Sequence, residues 1–276
     1  MKNKIGVMQG RLLHKYQGRY QAHPKDYWQH EFNKAQEIGL NCIEFILDFN
    51  DYEINPLLTK NGLVEIMHLS EKTGVDVVSV CADYFMEAPL HSEDLNVSSK
   101  SKKVLTKLLN NASELSLNDI VLPCVDQSSL KDKAALDRFY ENLLPILEIA
   151  EDKKINLSLE TDLPPQLFAE LLDRFNSSRI SVNYDIGNSA ALGYDPIEEL
   201  DHYGDQITDI HIKDRQLRGG SVPLGQGSAN FDSFFSKLRE FNYEGPFIMQ
   251  AFRDDEGVEI FKEQLDWIKP YLHSQL

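Results

Sequence analysis

The stretch INLSLETDLPPQLFAELLDRFNSSRISVNYD, residues 155–185, decides the fold. It opens on a short strand-like run at 155–160, crosses a polar turn and enters Leu167–Phe175. There apolar residues recur three and four apart, as a helix packed on one face requires. It closes on a second strand-like run at 180–185. Strand, helix and strand in this order make a βαβ unit, whose two strands lie parallel in one sheet.

Working outward, the same unit recurs along all 276 residues. The pattern predicts strands at 5–8, 42–46, 76–80, 120–125, 155–160, 180–185, 207–212 and 247–250. Helical spacing also marks Asn33–Ile38, Leu63–Leu69, Val104–Leu115 and Leu143–Ala150, and Gly39 and Gly74 punctuate helix ends before the next strand. Eight right-handed units can close on themselves. An open doubly wound sheet would carry a glycine-rich phosphate fingerprint after its first strand, where this chain reads QGRLLH. The expectation is therefore one α/β domain over 1–276, a single (β/α)8 TIM barrel. Tyr84–Val97 and Lys213–Ala229 are the longer polar connections, at the end of the barrel where such folds place their chemistry.

Composition narrows the partners. With 28 basic and 44 acidic residues the formal charge is −16, a field that repels nucleic acid, and no dense basic run offsets it. No apolar stretch nears the roughly 18 residues of a membrane span. The opening MKNKIGVMQGRL holds too short an apolar run for a secretory signal, so a cytoplasmic location is expected. Cys42, Cys81 and Cys124 fall in apolar runs and read as reduced core residues. Apart from His211, the histidines show no ligand spacing and read mostly as surface or loop residues.

If the strands are phased as above, their C-terminal ends meet in one mouth: Gln9, Glu44, Asp83, Asp126, Glu160, Asp185, His211 and Gln250. Glu160, Asp185 and His211, from strands five, six and seven, form a mixed oxygen and nitrogen set suited to one divalent ion, Mn, Mg, Zn or Co; no thiolate singles out zinc. Lys213 and Arg215 follow His211 closely, and Arg11 and Arg253 lie just beyond strands one and eight. Arginine offers a bidentate fork and lysine a point charge to a phosphate or carboxylate. The glycines of PLGQG, 223–227, permit a tight loop but lack the strand–helix setting of a nucleotide site.

These segments carry a family resemblance. LSLET at 157–161, NYDIGNSAALGYDP at 183–196, DIHIKDR at 209–215 and PLGQGSANFD at 223–232 resemble the xylose-isomerase-like sugar phosphate isomerase and epimerase superfamily, which also holds ketose 3-epimerases and apurinic-site endonucleases. GVMQGRL and GLNCIEFILD look like that family's first two βα units. The resemblance implies a TIM barrel and one divalent ion held by Glu160, Asp185, His211 and Gln250. It also implies a homodimer or homotetramer. Family epimerases carry Glu at the fourth position, paired across the substrate with the strand-five Glu, so Gln250 is a departure that removes a titratable group. Asn188 stands where those epimerases often have His. The endonucleases' further histidines are missing from early strands, which argues against a multi-zinc nuclease.

The expected function is a metal-dependent isomerase or epimerase of a small sugar or sugar phosphate, working through an enediolate. Glu160 and Lys213 are the candidate catalytic residues, and Gln9, Arg11, Glu44, Asn188, Arg215 and Arg253 the candidate substrate contacts. Because of Gln250, a lyase, dehydratase or hydrolase on a sugar-like substrate and a non-catalytic sugar binder stand as alternatives.

Overall fold

The computed structural model describes residues 3–254 and 257–273. Eight strands, β1 (Ile5–Met8), β2 (Cys42–Ile46), β3 (Asp76–Cys81), β4 (Asp119–Cys124), β5 (Asn156–Thr161), β6 (Ile180–Asp185), β7 (Ile207–Ile212) and β8 (Phe247–Met249), close into a barrel. Every neighbouring pair is parallel, and β1 bonds to both β2 and β8. This is the expected (β/α)8 architecture.

Among the described residues an outer helix follows each strand: α1 (His30–Glu37), α2 (Lys60–Thr73), α3 (Leu95–Ala112), α4 (Lys133–Lys153), α5 (Pro165–Phe175), α6 (Pro196–Tyr203), α7 (Phe231–Leu238) and α8 (Glu259–His273). Most outrun the apolar periodicity because their first turns are polar and held by caps. Asp132 accepts from Ala135 N at 2.8 Å, for example, and Asp94 from Asn96 N at 2.8 Å. Gly39 and Gly74 both sit at positive φ behind their helices, as expected. Among the described residues no helix is long and apolar enough to cross a membrane.

Side-chain alternation along the strands sorts the core. On β5 and β6, Leu157, Leu159, Ile180, Val182 and Tyr184 point outward into the main core beneath the helices. Each large apolar side chain buried there contributes about 1.5–3 kcal/mol. Their alternates, Ser158, Glu160, Ser181, Asn183 and Asp185, are buried too, which leaves this side of the lumen polar. A separate apolar cluster of Met8, Cys42, Ile46, Val78, Cys81, Val121 and Ile248 fills the opposite side. All three cysteines are free and buried, and burial pushes their thiols up.

Two register slips modify the alternation, one at Ile43/Glu44 between β2 and β3, the other at Val182/Asn183 between β6 and β7. At the N-terminal end of the lumen, Asp119 Oδ1 accepts from Thr208 Oγ1 (2.6 Å), Ser158 Oγ (2.7 Å) and Asn156 Nδ2 (3.0 Å). Ser181 joins the same cluster through Ser158 (2.9 Å) and Thr208 (2.8 Å).

The connection Tyr84–Val97, expected to be polar, instead packs Tyr84, Phe85, Ala88 and Leu90 into the core and begins with a helical turn at Tyr84–Glu87. His23 and His91, expected on the surface or in loops, lie in loops but are buried; burial lowers His23 to about 3 and His91 to about 4, so both are neutral.

Candidate metal and substrate site

At the C-terminal end, Glu160, Asp185 and His211 offer ligand atoms that all lie within 4.8 Å of one another. Each is fixed by its own backbone and neighbours. Glu160 Oε1 accepts from Asn188 Nδ2 at 2.6 Å. Asp185 ends β6 and caps the short helix Ile186–Leu192, its Oδ1 accepting from Asn188 N at 2.8 Å, while Oδ2 stands 3.1 Å from Lys213 Nζ. Burial, and after it the neighbouring Asp185 charge, pushes the Glu160 carboxyl up to about 7.

His211 shows which cluster suits a cation. A second group, Glu44, Asp209 and His211, is equally compact. There, however, His211 Nε2 is already bonded to Glu44 Oε1 at 2.7 Å, and Glu44 Oε2 accepts from Ser79 Oγ at 2.6 Å. Asp209 Oδ1 accepts from Asn183 Nδ2 at 3.2 Å, and burial beside Glu44 raises the Asp209 carboxyl well above its ordinary value. Asp209 Oδ2 is left without a partner, but the imidazole's Nε2 is already taken by Glu44, so that group backs the imidazole. His211 Nδ1, on the side of Asp185, is buried with no hydrogen-bond partner. A histidine whose far nitrogen is held by a carboxylate presents its near lone pair in a fixed direction to a metal. Gln250 fits the same reading: its Nε2 donates to Gln21 Oε1 at 2.8 Å, and its Oε1 is buried without a partner. Two carboxylates, one imidazole nitrogen and one amide oxygen suit a divalent ion.

The remaining expected residues divide by what their polar atoms already do. Gln9 Oε1 accepts from Ile46 N (3.0 Å) and from His23 Nδ1 (3.2 Å), and its Nε2 is buried unpartnered. Arg11 donates from Nη1 to Ala251 O and from Nη2 to Gln21 Oε1, both at 3.1 Å, and its Nε is buried unpartnered. Burial lowers this guanidinium to about 10, which leaves it charged at neutral pH. Arg253 donates from Nη2 to Leu13 O at 3.2 Å, with its plane over the Tyr20 ring. Lys213 Nζ and Arg215 Nη1 both donate to Asn188 Oδ1, at 3.1 and 2.8 Å, and Arg215 also binds the Gly219 carbonyl twice. Asn188 is thereby oriented, its oxygen on two cations and its amide on Glu160.

Glu44 departs from the expectation of a substrate contact. It lies in the middle of β2 rather than at its end, fully buried behind His211 with both oxygens engaged.

The structure adds residues that sequence reasoning missed. The segment after β1 straps over the mouth and carries Gln21 into it, where one amide meets Arg11, Gln250 and Asp83 Oδ2 (3.3 Å). Glu31 anchors the start of that strap by accepting from Gly10 N (2.7 Å) and Leu12 N (3.0 Å). Asp214 shapes the loop after β7: Gly225 N (2.9 Å), Gly227 N (2.8 Å) and Ala229 N (3.1 Å) all donate to its carboxylate. A Cβ at Gly227 would stand 2.1 Å from Asp214 Oδ1, so only glycine fits there. No periodicity marks Gln21 or Glu31; the glycine spacing of PLGQG was the only sign of the Asp214 knot.

A family model described as the xylose isomerase-like TIM barrel matches residues 32–271. The chain belongs to that family. A Haemophilus influenzae protein provisionally named as an L-ribulose-5-phosphate 3-epimerase is 27% identical over 97% of this chain and 96% of its own length. The L-ribulose-5-phosphate 3-epimerase of Escherichia coli O1:K1 / APEC is 25% identical over 88% of this chain and 89% of its own. Among solved structures, a D-psicose 3-epimerase superposes with a TM-score of 0.77 at 17% identity, covering 98% of this chain and 99% of that one.

Proposed function

We propose that this family member is a divalent-metal-dependent 3-epimerase of a small phosphorylated ketose. One observation carries the reading. Gln9 Nε2, Arg11 Nε, His211 Nδ1 and Gln250 Oε1, all buried and all without partners, gather at the mouth that holds Glu160 and Asp185. Buried polar atoms left unpaired cost roughly 1–3 kcal/mol each, a cost that a bound ion and substrate would relieve. The two relatives named, one of them provisionally, as L-ribulose-5-phosphate 3-epimerases are similar over most of their lengths and support the substrate class.

Glu160, Asp185, His211 and Gln250 would hold the ion. When bound, it supplies Lewis-acid polarisation of the substrate carbonyl. Glu160, buried and therefore more basic than a solvated carboxylate, takes the proton from the carbon next to that carbonyl. Asn188 holds Glu160 in place, and Lys213 adds positive charge beside the oxygens on which negative charge develops. Arg11, charged and buried, supports a phosphate or a hydroxyl at the strap side, with Arg253 beside it.

Gln250 favours a second reading, a 1,2 aldose–ketose isomerisation that needs a single base. Incubation with L-ribulose 5-phosphate and Mn2+ in deuterated water separates the two. The expected product is the 3-epimer with solvent deuterium at C3, formed with added Mn2+ and lost after chelation. An aldose product would replace the first reading with the second, and tight binding without turnover would end both.

A further inference from the structure

Two-face epimerisation needs an acid opposite Glu160, and the Gln250 amide can neither take nor deliver a proton. The hydrogen bonds of Gln250 lead to a group that can. Its Nε2 is bonded to Gln21 Oε1 at 2.8 Å, the same oxygen accepts from Arg11 Nη2 at 3.1 Å, and Gln21 Nε2 donates to Asp83 Oδ2 at 3.3 Å. One planar amide thus fills a space bounded by β8, the strap and the residue just past β3. Its oxygen and NH2 match the acceptor and donor pattern of a carbonyl and a neighbouring hydroxyl.

Asp83 is an unusual carboxylate for a merely structural part. Its other contact is a weak bond from Cys81 Sγ at 3.1 Å, and among the described residues no cation lies within ion-pair distance of it. A half-buried carboxylate held by one thiol and one long amide bond is only weakly compensated. It shares the mouth with Glu160 and Arg11, each of which feels its charge. It also stands off the arc of ligands: these come from β5, β6, β7 and β8, whereas Asp83 follows β3, on the far side of β4 from Glu160.

We infer that Asp83 is the second acid/base of this site, standing in for the glutamate that Gln250 replaces. This rests on the epimerase reading above. The step balances with the groups present. Glu160 breaks the C3–H bond and takes the proton, and the electron pair moves into the carbonyl to give the enediolate. On the other face Asp83, protonated, forms the new C3–H bond. Glu160 then carries the extra proton and Asp83 the charge, and exchange with water resets both. In the reverse direction the two exchange roles, with Gln21 displaced by substrate in either case.

The test is one-sided isotope exchange with the Mn2+-loaded full-length protein, starting separately from L-ribulose 5-phosphate and from its 3-epimer in deuterated water. Asp83→Asn should lower epimerisation roughly 100- to 1000-fold, while C3 exchange of the epimer deprotonated by Glu160 stays within about threefold of wild type. Exchange of the other epimer should fall with epimerisation. Asp83→Asn/Gln250→Glu should recover turnover, because it restores a titratable group at the end of β8. Unchanged epimerisation, or equal loss of exchange from both epimers in a protein of wild-type melting temperature, would overturn the assignment. Should Asp83→Asn fail to fold, Asp83→Ser, which still accepts from Gln21, must show the same one-sided loss. A wild-type protein that epimerises neither sugar ends the epimerase reading itself, an outcome distinct from any behaviour of the variants.

Discussion

The two ends of the barrel lumen carry buried polar clusters built from the same alternating strand positions, yet they differ in one respect. At the N-terminal end Asp119 draws three donors onto one oxygen, and Ser158, Ser181 and Thr208 bond among themselves. At the C-terminal end, His211 Nδ1 and Gln250 Oε1 are left without partners beside two carboxylates. One cluster completes its hydrogen bonding within the chain; the other leaves donors and acceptors for something outside it. Burial alone does not mark a functional group, since Asp119 and Glu160 are both buried. What sets the mouth apart is open bonding beside two carboxylates.

Substitutions at each end probe the contrast. The largest effect is expected from Glu160→Gln, which keeps the shape and removes the base. Turnover of L-ribulose 5-phosphate should fall roughly 100- to 10,000-fold with a melting temperature at or above that of wild type, measured by steady-state kinetics beside calorimetry. A matching loss of stability would show that the open cluster is structural after all. At the other end Asp119→Ala leaves the hydroxyls of Thr208 and Ser158 and the Asn156 amide without their shared acceptor. The expected cost is about 3 kcal/mol in urea unfolding, with kcat unchanged.

The smallest effect concerns His23, which ties the strap to Gln9. Its folded-state value, about 3, lies below the ordinary 6.5. Above pH 6.5 it is neutral in both states and costs nothing; below that the unfolded chain binds the proton first, so this share of stability falls until about pH 3. Wild type should lose about 2 kcal/mol more than His23→Gln between pH 7 and pH 5. Parallel pH profiles of urea unfolding would expose any departure.

Much of this was legible in the sequence. All eight strands stand within a residue or so of their predicted places, because short apolar runs between polar turns leave little room for error. Glu160, Asp185 and His211 meet because strand phase alone aims residues near strand ends at a common mouth. Glu44 was misplaced by the same logic: it sits mid-strand beside a register slip, deep enough to back His211 rather than face the mouth. Gln21 and Asp83 were not paired by any pattern, since a loop's path depends on tertiary contacts such as Glu31 with the Gly10 and Leu12 amides. Helix lengths were underread wherever capping side chains, not apolar spacing, set the first turn.

The loop after β7 has one more consequence. Its converging amides form the kind of concave donor array that elsewhere captures a free anion. Here the Asp214 carboxylate is tethered inside that array. A phosphate arriving from solution would have to compete with an occupant whose effective concentration never falls, however dilute the cell's own anions become.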